Sequence, residues 1–420
     1  MKLVIVAPHF PPSSMPPSQR VRLMLSHLKS LDVESVVVTV KNKFRNDTED
    51  PWLLELIGND FELIETDAIP YSFASRFGVG DLALRSLPFL YSALKKRILK
   101  GDVDFVLYLV PPWYLLTIAS LLKKKTKVPY AIDFIDPWVK STEQKSLGFK
   151  KRVSQAIAKY FERKACLKAN LIFSVSEGIN QNLIERYPQI DKKNLISIPY
   201  GVEANDYQHV ANQNSRGGVC KFSYVGAVWP DAYPVLNSLL EGFSKLKSDF
   251  HLEFIGTSYA RGKGLKSQLD SFIDQHNLSG KVQEDPQRVP YKEAITIQAK
   301  ADILILFGGM EPYYAASKLF GMIASTKPFF AYLHKDSFPA QILNELQHSY
   351  LVTYSHEKGK EPHTQTELVR KVLERLIREF NTFTPHKLDH PALIPHSARG
   401  MTEAFINPIK SYLEDEELHR

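Results

Sequence analysis

Short apolar runs rich in β-branched residues alternate along this chain with longer stretches whose apolar positions recur every three or four residues. Runs of the first kind read as buried parallel strands, those of the second as helices packed on them. Their alternation is the signature of βαβ units. In the first half it predicts strands over Leu3–Ala7, Ser35–Val40, Asp104–Val110, Val128–Phe134, Leu171–Val175 and Leu195–Ile198, with helices over Arg20–Ser30, Leu82–Leu99, Leu115–Lys124, Ser154–Lys168 and Ile179–Arg186. A polar, poorly periodic stretch, Asn205 to Gly218, follows Tyr200-Gly201. The alternation then restarts, with strands over Phe222–Val225, His251–Ile255, Lys281–Gln283, Ile303–Phe307, Phe329–Leu333 and Tyr350–Thr353. Helical patterns over Glu367–Phe380 and Ser397–Leu413 close the chain. The expected fold is α/β, two Rossmann-like doubly wound domains without an internal sequence repeat. Its parts are residues 1–204, a linker at 205–218, a second domain at 219–395 and a terminal helix at 396–420.

Length and composition agree with two domains. At 420 residues the chain exceeds a usual single domain, and each half is large enough to bury a full core. Only Cys166 and Cys220 are present, which argues against a disulfide framework and a cysteine metal site and makes a reducing cytoplasm the simplest setting. The opening MKLVIVAPHF has too short an apolar run for a signal-peptide core and reads as a strand. Phe105 to Leu122 is uncharged for eighteen residues, the crude length of a membrane span. Pro111-Pro112 would break a helix there, so strand, turn and helix are expected instead. The net charge of +7 is modest, yet three basic clusters fall between residues 95 and 152. They are either a solvated face or a surface drawn to anionic lipid, cytoplasmic and peripheral at the inner face of a membrane. Nucleic acid is disfavoured, because no recognised binding motif accompanies the charge.

The stretch FGGMEPYYAASKLFGMIASTKPFFAYL, Phe307 to Leu333, carries the densest candidate chemistry. A strand ends at the pair Gly308-Gly309, a loop continues through Glu311-Pro312, and a helix begins at Ser317 with Lys318 in its first turn. Hydroxyl, ammonium and bare amides at a helix start suit an anion. This stretch resembles the donor-binding segment of GT-B glycosyltransferases of the large retaining family four, matched by Ser317, Lys318, Leu319, Phe320, Ala324, Lys327 and Pro328. Gly321 stands where that family usually has a ribose-binding glutamate, and Tyr313 where it has a second one, with Glu311 close by to substitute.

Further stretches share the resemblance. Phe161 to Val202 is similar to the family's block from E-R to I-P-N-G-V, through Glu162, Arg163, Ser176, Glu177, Pro199 and Gly201; Ser176 and Glu177 read as a capped helix start. The proline-rich loop Pro8 to Arg20 follows the first strand, and the resemblance places His9, Ser14 and Arg20 on the acceptor side. Ile135-Asp136-Pro137-Trp138 is similar to D-x-R-D-P-W, with Asp136 either starting a turn or orienting an acceptor hydroxyl, and Trp138 beside it. Tyr224-Val225-Gly226 opens the second domain without the basic pair that relatives carry there. Arg261, Lys263 or Lys318 would then supply positive charge. The family comparison also assigns Arg288, Val289, Pro290, Tyr313 and Tyr314 to the donor.

The resemblance implies a retaining glycosyltransferase that uses a nucleotide-diphosphate sugar and a glycan or lipid-linked acceptor in polysaccharide synthesis. Asp136, Glu311 and Lys318 would act in catalysis, with no metal and no cofactor. Two rivals stand beside it: a non-catalytic paralogue serving as a partner subunit, and a sugar-nucleotide epimerase. A dehydrogenase is disfavoured, since no G-x-G-x-x-G follows a strand.

Overall fold

The computed structural model describes residues 1–139, 149–208, 210, 218–258, 265–310, 318–356 and 365–418. It divides into two compact units, Met1–Gly201 with Ala398–Arg420, and Val202–Ser397.

The first unit is built on a parallel sheet of β1 (Lys2–Val6), β2 (Glu34–Val40), β3 (Phe61–Thr66), β4 (Phe105–Val110), β5 (Tyr130–Phe134), β6 (Leu171–Ser174) and β7 (Leu195–Ser197), in the order β3-β2-β1-β4-β5-β6-β7. Helices α1 (Pro16–Leu28), α2 (Leu82–Ile98), α3 (Leu116–Thr126), α4 (Phe149–Cys166) and α5 (Glu177–Arg186) cover it. All of β4 is buried, because α2, α3, α4 and α5 pack on one face of the sheet while α1 and the C-terminal helix Ala398–Leu418 pack on the other. Each of its larger apolar side chains contributes about 1.5–3 kcal/mol by leaving water. Pro16 and Pro17 open α1 four residues before the periodicity places its start, a position where a missing N–H costs nothing.

The pattern of apolar positions misses β3. Its sequence, FELIET, holds two glutamates and buries only Thr66. An edge strand needs no continuous apolar run, so it leaves none to read.

The second unit repeats the plan with β8 (Cys220–Val225), β9 (Phe250–Ile255), β10 (Val282–Asp285), β11 (Ile303–Phe307), β12 (Phe329–His334) and β13 (Leu351–Tyr354), in the order β10-β9-β8-β11-β12-β13. Its helices include α6 (Asn205–Gln208), α7 (Tyr233–Ser244), α8 (Tyr291–Lys300), α9 (Lys318–Ala324), α10 (Phe338–Glu345) and α11 (Thr366–Glu379). Helix α6, with Asp206 buried, lies inside the stretch read as linker. Both chains of strands therefore run outward from a central first strand and reverse beside it, at β1/β4 and at β8/β11. In such sheets ligands bind beyond the carboxyl ends of the strands at that reversal.

Candidate functional site

At the reversal in the second unit, β8 ends in Gly226, whose φ of +129° lies where side chains are disfavoured. Lys318, the first residue of α9, reaches back to this point. A methyl group placed on Gly226 would sit 2.5 Å from its Cε and 2.6 Å from its Nζ. The ammonium donates to the Tyr224 hydroxyl at 2.6 Å and lies 4.1 Å from the centre of that ring. The residue as a whole is half-buried, but its charged end is enclosed by protein. Burial, reinforced by the positive charge of Arg288, lowers the Lys318 ammonium to about 7. Among the described residues no carboxylate pairs with it.

Arg288 arrives from the loop after β10, and its Cα would lie 3.6 Å from a methyl group on Gly256 at the end of β9. Its positive charge is felt at Lys318; the sequence comparison assigns Arg288 only to the donor site in general. Val289 and Pro290 continue that loop into α8, whose Tyr291 hydroxyl donates to Asp206 at 3.0 Å. Beyond β11 the Asp231 carboxylate accepts from the Met310 amide at 3.0 Å and fills the space beside Gly309, together with Trp229. Leu319 is fully buried against Leu304 and Leu306, so its side chain is an anchor for α9 and does not face a ligand. Tyr207, from α6, places its hydroxyl over Gly321, leaving no room for a Cβ there. Glu311, Tyr313, Tyr314, Ser317, Arg261 and Lys263 lie outside the described residues.

At the reversal in the first unit, the loop after β1 presents His9. Its Nδ1 is 2.6 Å from Asp47, whose same oxygen accepts from the Ser13 hydroxyl at 2.6 Å. Burial alone pushes the Asp47 carboxyl up, but His9, Ser13 and Arg45 outweigh it and hold it below the usual carboxylate range. An ionised Asp47 accepts from a proton on Nδ1 and so fixes the orientation of the His9 ring. Ser14 is tied to the same segment through the Thr48 carbonyl, which accepts from its hydroxyl at 3.0 Å. Asp47 is the residue that sequence reasoning missed: it lies 38 positions from His9 in an irregular stretch with no motif.

Arg20, expected on the acceptor side, is instead buried and fully spent. Its Nε donates to Asp133 at 3.0 Å, Nη1 to the Pro199 carbonyl at 2.9 Å and Nη2 to the Ile198 carbonyl at 2.6 Å. Its guanidinium carbon lies 5.0 Å from the centre of the Tyr200 ring and 4.7 Å from that of Phe405. This is a structural clamp. Asp136 is exposed just past β5, its carbonyl accepting from the Trp113 indole at 3.0 Å, and Trp138 packs edge-on to Tyr114. Ser176 stands at the N-cap of α5 but its hydroxyl makes no capping bond. Glu162 is buried and accepts from the Val139 amide, Arg186 and Tyr187, so this part of the sequence block is structural. Among the described residues no group of three His, Cys, Asp or Glu could hold a metal ion.

Residues 18–206 match the sequence model of Glycosyltransferase Family 4. No curated protein matches the chain. The solved structure of the lipopolysaccharide outer core galactosyltransferase WaaB, in its apo form, superposes with a TM-score of 0.56 at 13% identity, covering 98% of this chain and 99% of that one. HepE from Anabaena in complex with UDP and glucose gives 0.61 at 12% identity over 98% and 100%. Sucrose-phosphate synthase from Thermosynechococcus elongatus gives 0.57 at 12% over 100% and 98%. At such identities the likeness is one of fold.

Proposed function

For a GT-B protein with a Glycosyltransferase Family 4 domain at residues 18–206, we propose transfer of a sugar from a nucleotide-diphosphate sugar to a glycan or lipid-linked acceptor in cell-surface polysaccharide synthesis. The observation that carries this reading is the enclosed Lys318 ammonium at Gly226, unpaired by any described carboxylate and pressed by Arg288. An enclosed ammonium that also feels the positive charge of Arg288 favours an anion, and HepE was solved with UDP.

As the bond from the anomeric carbon to the diphosphate breaks, negative charge grows on the departing oxygen. Lys318 and Arg288 are already in place to receive it, so little reorganisation is needed. Gly226 leaves the space in which the Lys318 ammonium is held. On the acceptor side, His9 held by Asp47 accepts a hydrogen bond from a hydroxyl through Nε2, and Asp136 lies exposed just past the end of β5. Retention of anomeric configuration is part of this proposal, implied by the family resemblance alone.

Lys318→Ala is expected to lower donor turnover by roughly tenfold to a thousandfold, as loss of one preorganised donor does. The pH profile gives a second readout. A lysine lowered to about 7 is charged below that pH, so kcat/KM for the donor falls as pH rises through about 7, and Lys318→Arg moves that limb upward. Unchanged turnover in Lys318→Ala would reject the assignment. Tyr207 over Gly321 favours one other reading, a non-catalytic partner subunit. Calorimetry decides: a wild-type protein that binds no nucleotide diphosphate is that paralogue. Donor incubated alone and converted to an epimer would instead reveal an epimerase.

A further inference from the structure

Helices α2, α3 and α4 lie side by side on one face of the first unit's sheet, α2 against α3 and α3 against α4. Together they contain a single carboxylate, Glu162, which is fully buried and committed to Val139, Arg186 and Tyr187. Their exposed charge is therefore of one sign, with Lys95 and Lys96 on α2, Lys124 and Lys125 on α3, and Arg152 and Lys159 on α4. Helix α4 adds a second feature. Val153, Ile157 and Tyr160 are 43%, 39% and 61% exposed, and steps of four and three residues put them in one line. That line runs opposite Ala158, Ala165 and Cys166, which face the core. The helix is thus apolar on two sides, and only one side is covered by its own unit.

We propose that this three-helix face seats the protein on an anionic lipid bilayer, with the Val153–Ile157–Tyr160 line entering the headgroup boundary and the lysines meeting lipid phosphates. Charge complementarity selects the occupant: three helices whose exposed charges are all positive among the described residues repel another copy of themselves and attract an anionic sheet. An apolar line flanked by cations on an outward helix is also the arrangement of an interfacial helix. Nucleic acid fits the charge but offers nothing to the aliphatic line. The inference extends the partner side of the proposed function, since a lipid-linked acceptor is met at such a surface, but it requires neither donor nor turnover.

Sedimentation of the full-length protein with vesicles tests it. Binding is expected to phosphatidylcholine vesicles containing phosphatidylglycerol, with little to phosphatidylcholine alone, and it falls with added salt. Each cation near the surface is worth about fivefold, so Lys95→Gln, Lys96→Gln, Lys124→Gln and Lys125→Gln combined lower partitioning by roughly a hundredfold or more. Ile157→Ser with Tyr160→Ser weakens binding at low salt, where the charges still act. All these residues are exposed, so folding and donor turnover stay unchanged. No binding of the wild type to anionic vesicles overturns the inference, as does equal binding by both variants. Binding to duplex DNA without binding to vesicles overturns it in favour of nucleic acid, and a dimer broken by Tyr160→Ser without vesicle binding does so in favour of self-association. Loss of turnover in Lys318→Ala is independent of all these results.

Discussion

Gly226 shows how one residue's missing side chain decides where another residue's charge rests. Its φ of +129° and the Lys318 side chain packed against its Cα leave no space for a methyl group. Gly226→Ala is expected to strain the turn by about 1–3 kcal/mol and displace the ammonium, with donor affinity falling further than the melting temperature alone would account for. Calorimetric titration of nucleotide diphosphate beside a thermal melt checks this, and unchanged affinity would show that Lys318 does not need this seat. Single residues of this sort were partly legible. Lys318 and Gly226 stand in recognisable stretches, and so does His9. Asp47 does not, because a carboxylate that orients a histidine from a separate loop leaves no spacing to detect. Tyr207 is likewise invisible as the neighbour of Gly321, although the glycine itself marks that something is different there.

Among the elements, α1, β5 and the C-terminal helix meet at Arg20. The guanidinium spans from Asp133 to the Ile198 and Pro199 carbonyls and lies against the rings of Tyr200 and Phe405. Both charges are completely buried. Removing one leaves the other uncompensated, so Asp133→Asn or Arg20→Ala is expected to destabilise the protein by about 3–5 kcal/mol, and Arg20→Lys restores little because an ammonium cannot match the fork. Chemical denaturation monitored on both units measures it; a loss below about 1 kcal/mol would mean that water reaches the pair. The family resemblance places Arg20 on the acceptor side. Burial decides otherwise, and burial depends on what the far end of the chain packs against. Element boundaries followed the same division: strands with continuous apolar runs were read closely, whereas β3, held by edge pairing, was not.

At the scale of the molecule, the second unit stores an acid sensitivity. His348 donates from Nε2 to the Phe329 carbonyl at 3.0 Å, so its Nδ1 accepts from His386 at 2.9 Å, and a proton added to His348 would meet another N–H. Burial, then the neighbouring His386, lower His348 to about 3; burial lowers His396 to about 4 and, with His390, also lowers His386. In the unfolded chain these histidines take up protons near their ordinary value of about 6.5. Stability is therefore fully present above pH 6.5 and declines as pH falls below it, continuing toward pH 4. The slope is about 1.4 kcal/mol per pH unit for each proton that only the unfolded state binds. Melting temperatures between pH 7.5 and 4.5 check this prediction, with His348→Gln expected to flatten the slope; an unchanged slope in that variant would assign the sensitivity elsewhere.

The sequence by itself determined the two doubly wound sheets, because period and β-branched content are written locally and reflect what each segment buries. It also determined which stretches hold candidate chemistry, since a glycine at a strand end and a lysine at a helix start are short-range features. Tertiary structure decided the rest. It brought Lys318 to Gly226 and Asp47 to His9, withdrew Arg20 into the core, and left α4 with an uncovered apolar line. The first three of those outcomes depend on residues far apart in the chain lying within a few ångströms, where desolvation and Coulomb energy are large, the fourth on what the rest of the fold leaves uncovered, and no local pattern encodes either.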